Sequence, residues 1–131
     1  FEVVARADTA GEFDRALEES REIIDEFPDI TAIMCGNDQI AVGATTSVNV
    51  ARAEDVLIYG VDGSPDIKKE LQKTNTQIAG TAAQSPIHMG QEAARIADCI
   101  LSGQQFEKET YEEVFMINKD NVEMYGVDGW Q

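Results

Sequence analysis

Residues 29–44 read DITAIMCGNDQIAVGA, and the spacing of their apolar residues changes half-way along. The first half, ITAIMCG, is a short apolar run of the kind found in buried strands. From there on, apolar residues recur at three- and four-residue steps, which predicts a helix over 38–51. Asp38 stands at the junction, where a short polar side chain favours a helix N-cap. The sequence therefore predicts a strand, a tight turn and a helix in direct succession.

The same succession recurs along the chain. Further β-rich runs are FEVVARA, VLIYGV, QIAGTAA and TYEEVFMI. We predict parallel strands near 2–7, 31–36, 56–61 and 78–83 and a last strand near 110–117. Apolar stripes predict two more helices, over 13–27 and 86–101. Strand–helix alternation with short connections predicts an α/β fold, an open and mostly parallel twisted sheet with helices on both faces.

The composition indicates one compact domain without a nucleic-acid partner. The chain has 131 residues, 43% of them hydrophobic, which is enough for one core. Its 10 Lys plus Arg against 25 Asp plus Glu give a net charge of −15, whereas nucleic-acid binding depends on basic side chains. Cys35 and Cys99 lie in apolar surroundings without metal-ligand spacing, so we expect no metal, no other cofactor and no disulfide. The chain opens within a predicted strand, which suggests a piece of a longer protein.

Polar side chains follow three consecutive predicted strands. Asn37 comes after TAIMCG, Asp62 after VLIYGV and Gln84 after QIAGTAA. Ligands of open parallel sheets bind beyond the carboxyl ends of the strands. A carboxylate that accepts from neighbouring hydroxyls, with amides that both donate and accept, suits a polyhydroxylated ligand. Each residue alone is also a common turn cap, but three in succession favour a ligand-binding site.

Three stretches make the sequence recognisable: DITAIMCGNDQIAVGA, VLIYGVDGSPD and QIAGTAAQSPIHMGQEAARIADCILSG. Together they resemble the second, carboxyl-terminal lobe of the sugar-binding proteins of ABC transporters, in the ribose- and galactose-type group with the type I periplasmic-binding-protein fold. The resemblance implies a Rossmann- or flavodoxin-like lobe of a two-lobed protein whose cleft closes on a pentose or hexose. It also implies an ABC permease in the membrane as partner, and a location outside the cytoplasm, in the periplasm or lipid-anchored at the cell surface.

The resemblance also assigns roles to residues and segments. In that family the Asn of the ND motif, the Asp of the G-D-G motif and the amide of AQ-P contact sugar hydroxyls. In this sequence those positions are Asn37, Asp62 and Gln84. Residues 1–108 would form the sugar-binding lobe, and residues 109–131 the crossover strand and the C-terminal tail.

Parts of the family pattern are missing. The opening strand and helix of the lobe, which carry a sugar-contacting Arg, would precede residue 1, and no residue replaces that Arg. Without this strand we expect either a domain-swapped or edge-paired dimer, or a longer protein that contains the segment. The stacking aromatic of the family corresponds to Gly11, and Phe13, two residues on, is assigned to the helix core.

The pentapeptide YGVDG occurs twice, at 59–63 and 125–129. The first copy ends a predicted strand and supplies Asp62. The second copy follows a polar stretch and has no helix after it, so we interpret it as a coincidence and give Asp128 no role at the site. Trp130 is a tail aromatic without an assigned use.

Other functions fit the sequence less well. His88, the sole histidine, has no fixed relation to a Ser or Cys that could act as nucleophile, so we expect a protein that is not an enzyme. The alternative that stays open is the ligand-sensing domain of a sugar-responsive LacI-type transcription repressor, which uses the same fold and similar motifs. A plain protein–protein interaction module is the third possibility.

Overall fold

The computed structural model describes residues 2–130, in which strands and helices alternate. The elements in chain order are α1 (Phe13–Glu26), β1 (Ala32–Met34), α2 (Asp38–Ala51), β2 (Leu57–Asp62), α3 (Pro65–Leu71), β3 (Ile78–Ala83), α4 (Pro86–Leu101), β4 (Phe115–Ile117) and α5 (Val122–Tyr125). The helices predicted over 13–27, 38–51 and 86–101 are confirmed, each to within one residue. The strands predicted near 31–36, 56–61 and 78–83 are also confirmed, the first of them shorter than expected.

Strands β1 to β4 lie side by side in chain order in a single sheet. β1 pairs with β2 and β2 with β3 in parallel, whereas β4 runs antiparallel to β3. The predicted open, mostly parallel sheet is therefore confirmed. Asp62 pairs with Ala83 at the ends of β2 and β3, so the residues that follow these two strands emerge next to each other.

Helices α2 and α3 cover one face of the sheet, and α1 packs on α2. The core between these layers includes Ile58, Ile67 and Ile78, each at most 1% exposed. Gly60 allows the close approach of the helices, because a Cβ atom there would lie only 2.8 Å from Ile67 Cδ1 and 3.3 Å from Ala41 Cβ. A glycine in the first YGVDG is therefore a packing requirement of β2.

Helices were predicted on both faces of the sheet, but within residues 2–130 they pack closely on one face only and the opposite face is open. The pairing register places Met34, Leu57 and Met116 on that side, and they are 76%, 49% and 48% exposed. The apolar stripe predicted for α4 is present but unpacked, since no residue of this helix is buried and Leu101 is 87% exposed. A compact chain of this mass exposes about 6,800 Å², whereas this one exposes 8895 Å². Roughly 2,000 Å² of surface therefore lacks the cover that a closed domain would give it.

The strand predicted near 2–7 is wrong. Residues 2–8 have no regular secondary structure, and Val3 and Val4 are 65% and 47% exposed. A cavity of about 990 Å³ lies between this segment, α1 and β1. Strand propensity alone does not make a strand, because the backbone needs a neighbour to form a ladder. Here the nearest strand edge, that of β1, lies across the cavity.

Candidate ligand-binding site

The turn from β2 to α3 places Asp62 at the edge of the sheet where the parallel strands end. Asp62 has a φ of 125° and the following Gly63 a φ of 76°, both in a region that side chains disfavour. Several hydrogen bonds hold this backbone. Among them, the Gly63 N–H donates to Thr81 Oγ1 at 3.2 Å, and the Ile67 N–H donates to Ser64 Oγ at 3.4 Å. Strained backbone of this kind persists where its surroundings fix it, and it is concentrated at functional sites.

Asp38 fastens the same turn to the start of α2. Its side chain is 2% exposed. One carboxylate oxygen accepts from the Ser64 N–H and the other from the Thr81 hydroxyl, both at 2.6 Å. Burial raises the pKa of Asp38 above its ordinary value, the bonds from Thr81 and Ser64 oppose the rise, and the charge of Asp62 adds to it. Asp38 is thus a buried cross-link between two loops of the site.

Asn37 caps α2 instead of Asp38, so the predicted cap is wrong. The Asn37 Oδ1 accepts from the Ile40 N–H at 2.8 Å, and its Nδ2 donates to the Gly11 carbonyl oxygen at 3.3 Å. Asn and Asp are equally good caps, and the sequence alone does not say at which of two neighbouring positions the helix starts. An amide has two N–H groups and two acceptor lone pairs, so Asn37 retains one of each for a ligand.

Gln84 follows β3 and contacts Asp62 directly. Its Nε2 donates to Asp62 Oδ1 at 3.3 Å, and its backbone N–H donates to the Asp62 carbonyl oxygen, also at 3.3 Å. The contact follows from the pairing of Asp62 with Ala83, which sets the residue after Ala83 beside Asp62. Both side chains are half-buried. A carboxylate and an amide therefore lie together at the strand ends.

A cavity of about 790 Å³ opens at this edge of the sheet. Asn37 and Asp62 both line it, and Gln84 does not, although it is bonded to Asp62. The volume lies within the roughly 300–1,000 Å³ of small-molecule sites. The structure thus brings two of the three predicted residues into one cavity and places the third beside it.

Two aromatic residues of this cavity were not predicted as site residues. Phe13, assigned to the core of α1, is half-buried and lines the cavity. Trp130 lines it from the C-terminal tail and is 46% exposed. The position of Phe13 at the first residue of α1 was an available signal, because that helix starts at this edge of the sheet. For Trp130 the sequence contains no such signal, since its place depends on the path of the tail.

The two copies of YGVDG have different settings. The first is the end of β2 and the start of the turn that holds Asp62. The second leaves the short helix α5 at Gly126, and its Asp128 is exposed. Gly129 in that copy accepts a hydrogen bond through its carbonyl oxygen from Lys68 Nζ at 2.6 Å. The second copy therefore ties the tail to α3.

The histidine and the two cysteines do not line the cavity of Asn37 and Asp62. His88 contacts Glu112 with Nδ1 and Oε2 2.5 Å apart, and this contact raises the pKa of the imidazole. Cys35 and Cys99 are free thiols. Among residues 2–130, no group of three or more His, Cys, Asp or Glu side chains is arranged to hold a metal ion. In the same range, none of the helices combines the length and the apolar character that crossing a membrane requires.

Most of the chain matches a known protein family. The model of the periplasmic binding protein domain matches residues 1–105. The ribose import binding protein of Salmonella typhimurium is 31% identical over 103 residues, which cover 77% of this chain and 34% of that protein. The D-allose-binding periplasmic protein of Escherichia coli is 34% identical over 77 residues, or 58% of this chain and 24% of that protein. The chain thus spans about a third or less of the length of these relatives.

Solved structures agree with the sequence relatives. An ABC transporter periplasmic solute binding protein from Actinobacillus succinogenes with bound D-allose superposes with a TM-score of 0.87 at 26% identity. That match covers 95% of this chain and 44% of the other. A glucose-galactose binding protein from Geobacillus stearothermophilus matches with a TM-score of 0.86 at 27% identity, over 92% of this chain and 42% of the other.

Proposed function

Because the chain belongs to the family of periplasmic binding protein domains, we propose that it is the carboxyl-terminal lobe of a two-lobed protein that captures a monosaccharide for an ABC-type importer. In this proposal the protein is a binding protein rather than an enzyme. It works outside the cytoplasm and hands its sugar to a permease in the membrane. The ligand is a pentose, a hexose or a closely related polyol.

The observation that carries the proposal is the bonded pair of Asp62 and Gln84 beside a cavity that Asn37 also lines. A carboxylate that accepts from two neighbouring hydroxyls makes charge-assisted hydrogen bonds, which are about twice as strong as neutral ones. Amides donate to and accept from further hydroxyls. The three side chains together offer both donors and acceptors to the hydroxyls of a sugar ring, and relatives with bound D-allose and myo-inositol share the fold.

We also propose that a further strand fills the cavity between residues 2–7 and β1. The outer edge of β1 is unpaired within residues 2–130, and edges of this kind recruit additional strands. In the longer protein the strand would come from the same lobe. In the isolated chain it would come from a second copy, by edge pairing or domain swapping. Light scattering that gives a stable monomer of 14.4 kDa with an intact sheet would contradict the second version.

The proposed function is tested by thermal unfolding of the chain in the presence of monosaccharides and polyols. A single lobe provides about half of the hydrogen bonds of a closed cleft, so we expect millimolar or weaker affinity. A ligand at ten times its dissociation constant stabilises the fold by about 1.4 kcal/mol, or roughly 4–6 °C at this chain length.

The matched control is Asp62→Asn, because sugars at such concentrations also stabilise proteins through exclusion from the surface. A specific ligand raises the unfolding temperature of the wild-type chain more than that of the variant. If every pentose, hexose and polyol shifts the unfolding temperature of the wild-type chain and of Asp62→Asn equally, a sugar site at Asp62 is ruled out.

A further inference from the structure

We propose that Trp130 forms an apolar wall of the site and stacks against the C–H face of the bound monosaccharide. The inference rests on the proposed sugar-binding function and adds to it a specificity residue from the C-terminal tail. A sugar ring has hydroxyl edges and patches of C–H groups. Ligand sites join such patches to aromatic rings while a few polar groups fix the orientation.

Lys68 anchors the tail that carries Trp130. The Lys68 side chain on α3 is fully buried, and its Nζ donates to the Gly129 carbonyl oxygen at 2.6 Å. Burial lowers the pKa of this ammonium group, and the charge of Asp38 opposes the change. A buried charge without a partner is costly. The bond to Gly129 gives the ammonium group an acceptor and holds the residue that precedes Trp130.

The anchored tail brings Trp130 to the cavity that two of the predicted site residues line. Trp130 lines the same cavity of about 790 Å³ as Asn37 and Asp62. Trp130 is 46% exposed, which leaves part of the residue accessible to a ligand. Its place beside the polar groups is what a stacking platform needs.

Position 11, next to Asn37, is closed to a large side chain. Gly11 has a φ of 79°, and a Cβ atom on it would lie 3.3 Å from Asn37 Nδ2. An aromatic side chain at Gly11 would therefore strain the backbone and press on the bond between Asn37 and the Gly11 carbonyl. The two aromatic residues that line the cavity of Asn37 and Asp62 are Phe13 and Trp130.

The chain contains a single Trp, so its fluorescence reports on Trp130 alone. The experiment titrates the full chain with D-ribose, D-allose, D-galactose and myo-inositol and records indole emission together with ligand-observed NMR. We expect at least one sugar to change the emission, with the same midpoint as the NMR signal. The variant Asp62→Asn should lose both signals.

Variants then separate stacking from hydrogen bonding. Trp130→Ala should weaken the affinity by about tenfold, from the lost ring contact and its burial, and Trp130→Phe should restore most of it. Tyr111→Ala is the matched control, because Tyr111 is an 83% exposed aromatic outside the cavity; it should leave the affinity unchanged. Lys68→Met should release the tail, and acrylamide should then quench the indole more strongly in the absence of sugar.

The outcomes distinguish the two proposals. If NMR detects no sugar in the wild-type chain, the sugar-binding function fails and the role of Trp130 fails with it. If sugar binds and depends on Asp62, but Trp130→Ala keeps wild-type affinity and the emission stays constant, then the function stands and the stacking role is refuted. An unchanged quenching rate in Lys68→Met would refute the anchor.

Discussion

Replacement of Asp38 is the sharpest test of how the site is held together. The carboxylate is buried and accepts two short hydrogen bonds, from the Ser64 N–H and the Thr81 hydroxyl. In Asp38→Ala both donors lose their partner inside the protein. Hydrogen bonds to a charged group contribute roughly 1.5–3 kcal/mol each, and relief from the desolvation of the buried charge offsets part of the loss. We expect the free energy of unfolding to fall by about 3 kcal/mol.

Asp38→Asn is the matched variant, since it keeps the shape and removes the charge. Its amide oxygen can still accept from the Ser64 N–H, and its NH₂ group can donate to Thr81 Oγ1. That oxygen already accepts from the Gly63 N–H, and a hydroxyl has two lone pairs. The expected loss is about 1 kcal/mol or less at pH 7. Urea unfolding followed by circular dichroism measures both variants, with the slope of the transition checked for constancy.

The pH dependence has a definite sign. The folded pKa of Asp38 is raised above the unfolded value near 3.8, so the folded state prefers the protonated carboxyl. The stability that this preference contributes is fully present below pH 3.8 and is lost as the pH rises through the folded pKa. The titratable groups that interact electrostatically with the carboxyl are Asp62, Lys68 and Cys35. The Asn variant lacks this loss, so its stability relative to the wild type should improve as the pH increases from 4 to 7.

Two results would refute this account of Asp38. If Asp38→Ala and Asp38→Asn lower the free energy of unfolding by amounts that agree to within about 0.5 kcal/mol, then the hydrogen bonds that the Asn amide can keep do not stabilise the fold. A stability difference between Asn and the wild type that stays constant with pH would mean that the carboxyl does not titrate with a raised pKa.

Further predictions concern ligand affinity and thiol reactivity. In the intact two-lobed protein, Asp62→Ala should weaken sugar binding by two or more orders of magnitude through the loss of two charge-assisted hydrogen bonds, whereas Asp128→Ala should leave it within about threefold. Calorimetry on the two variants decides, and equal losses would contradict the separate settings of the two YGVDG copies. Iodoacetamide at pH 8 should label Cys99 in the folded chain and spare Cys35, whose pKa burial raises to about 12, with a smaller contribution from the charge of Asp38. Mass spectrometry before and after denaturation follows the labels, and fast labelling of Cys35 in the native state would show that its burial is misjudged.

Local patterns were sufficient for most of the architecture. The bounds of α1, α2 and α4 follow from apolar spacing and from turn residues, which act within a few positions of the chain. The same local logic predicted that Asn37, Asp62 and Gln84 follow three parallel strands at one edge of the sheet, which is where open parallel sheets bind ligands. It failed at the cap of α2, where Asn37 and Asp38 are equally suitable and only tertiary bonds separate them.

Tertiary structure decided what depends on distant partners. Residues 2–7 have strand composition but are not a strand, because the neighbour that would complete a ladder is across a cavity. Asp38 is a buried cross-link because Ser64 and Thr81, far along the chain, meet it there. Trp130 lines the cavity of Asn37 and Asp62, and Lys68 holds the carbonyl group beside it. Contacts of this kind join residues tens of positions apart, and the free energy that selects them comes from burial and hydrogen bonds formed only in the folded chain, which no local pattern encodes.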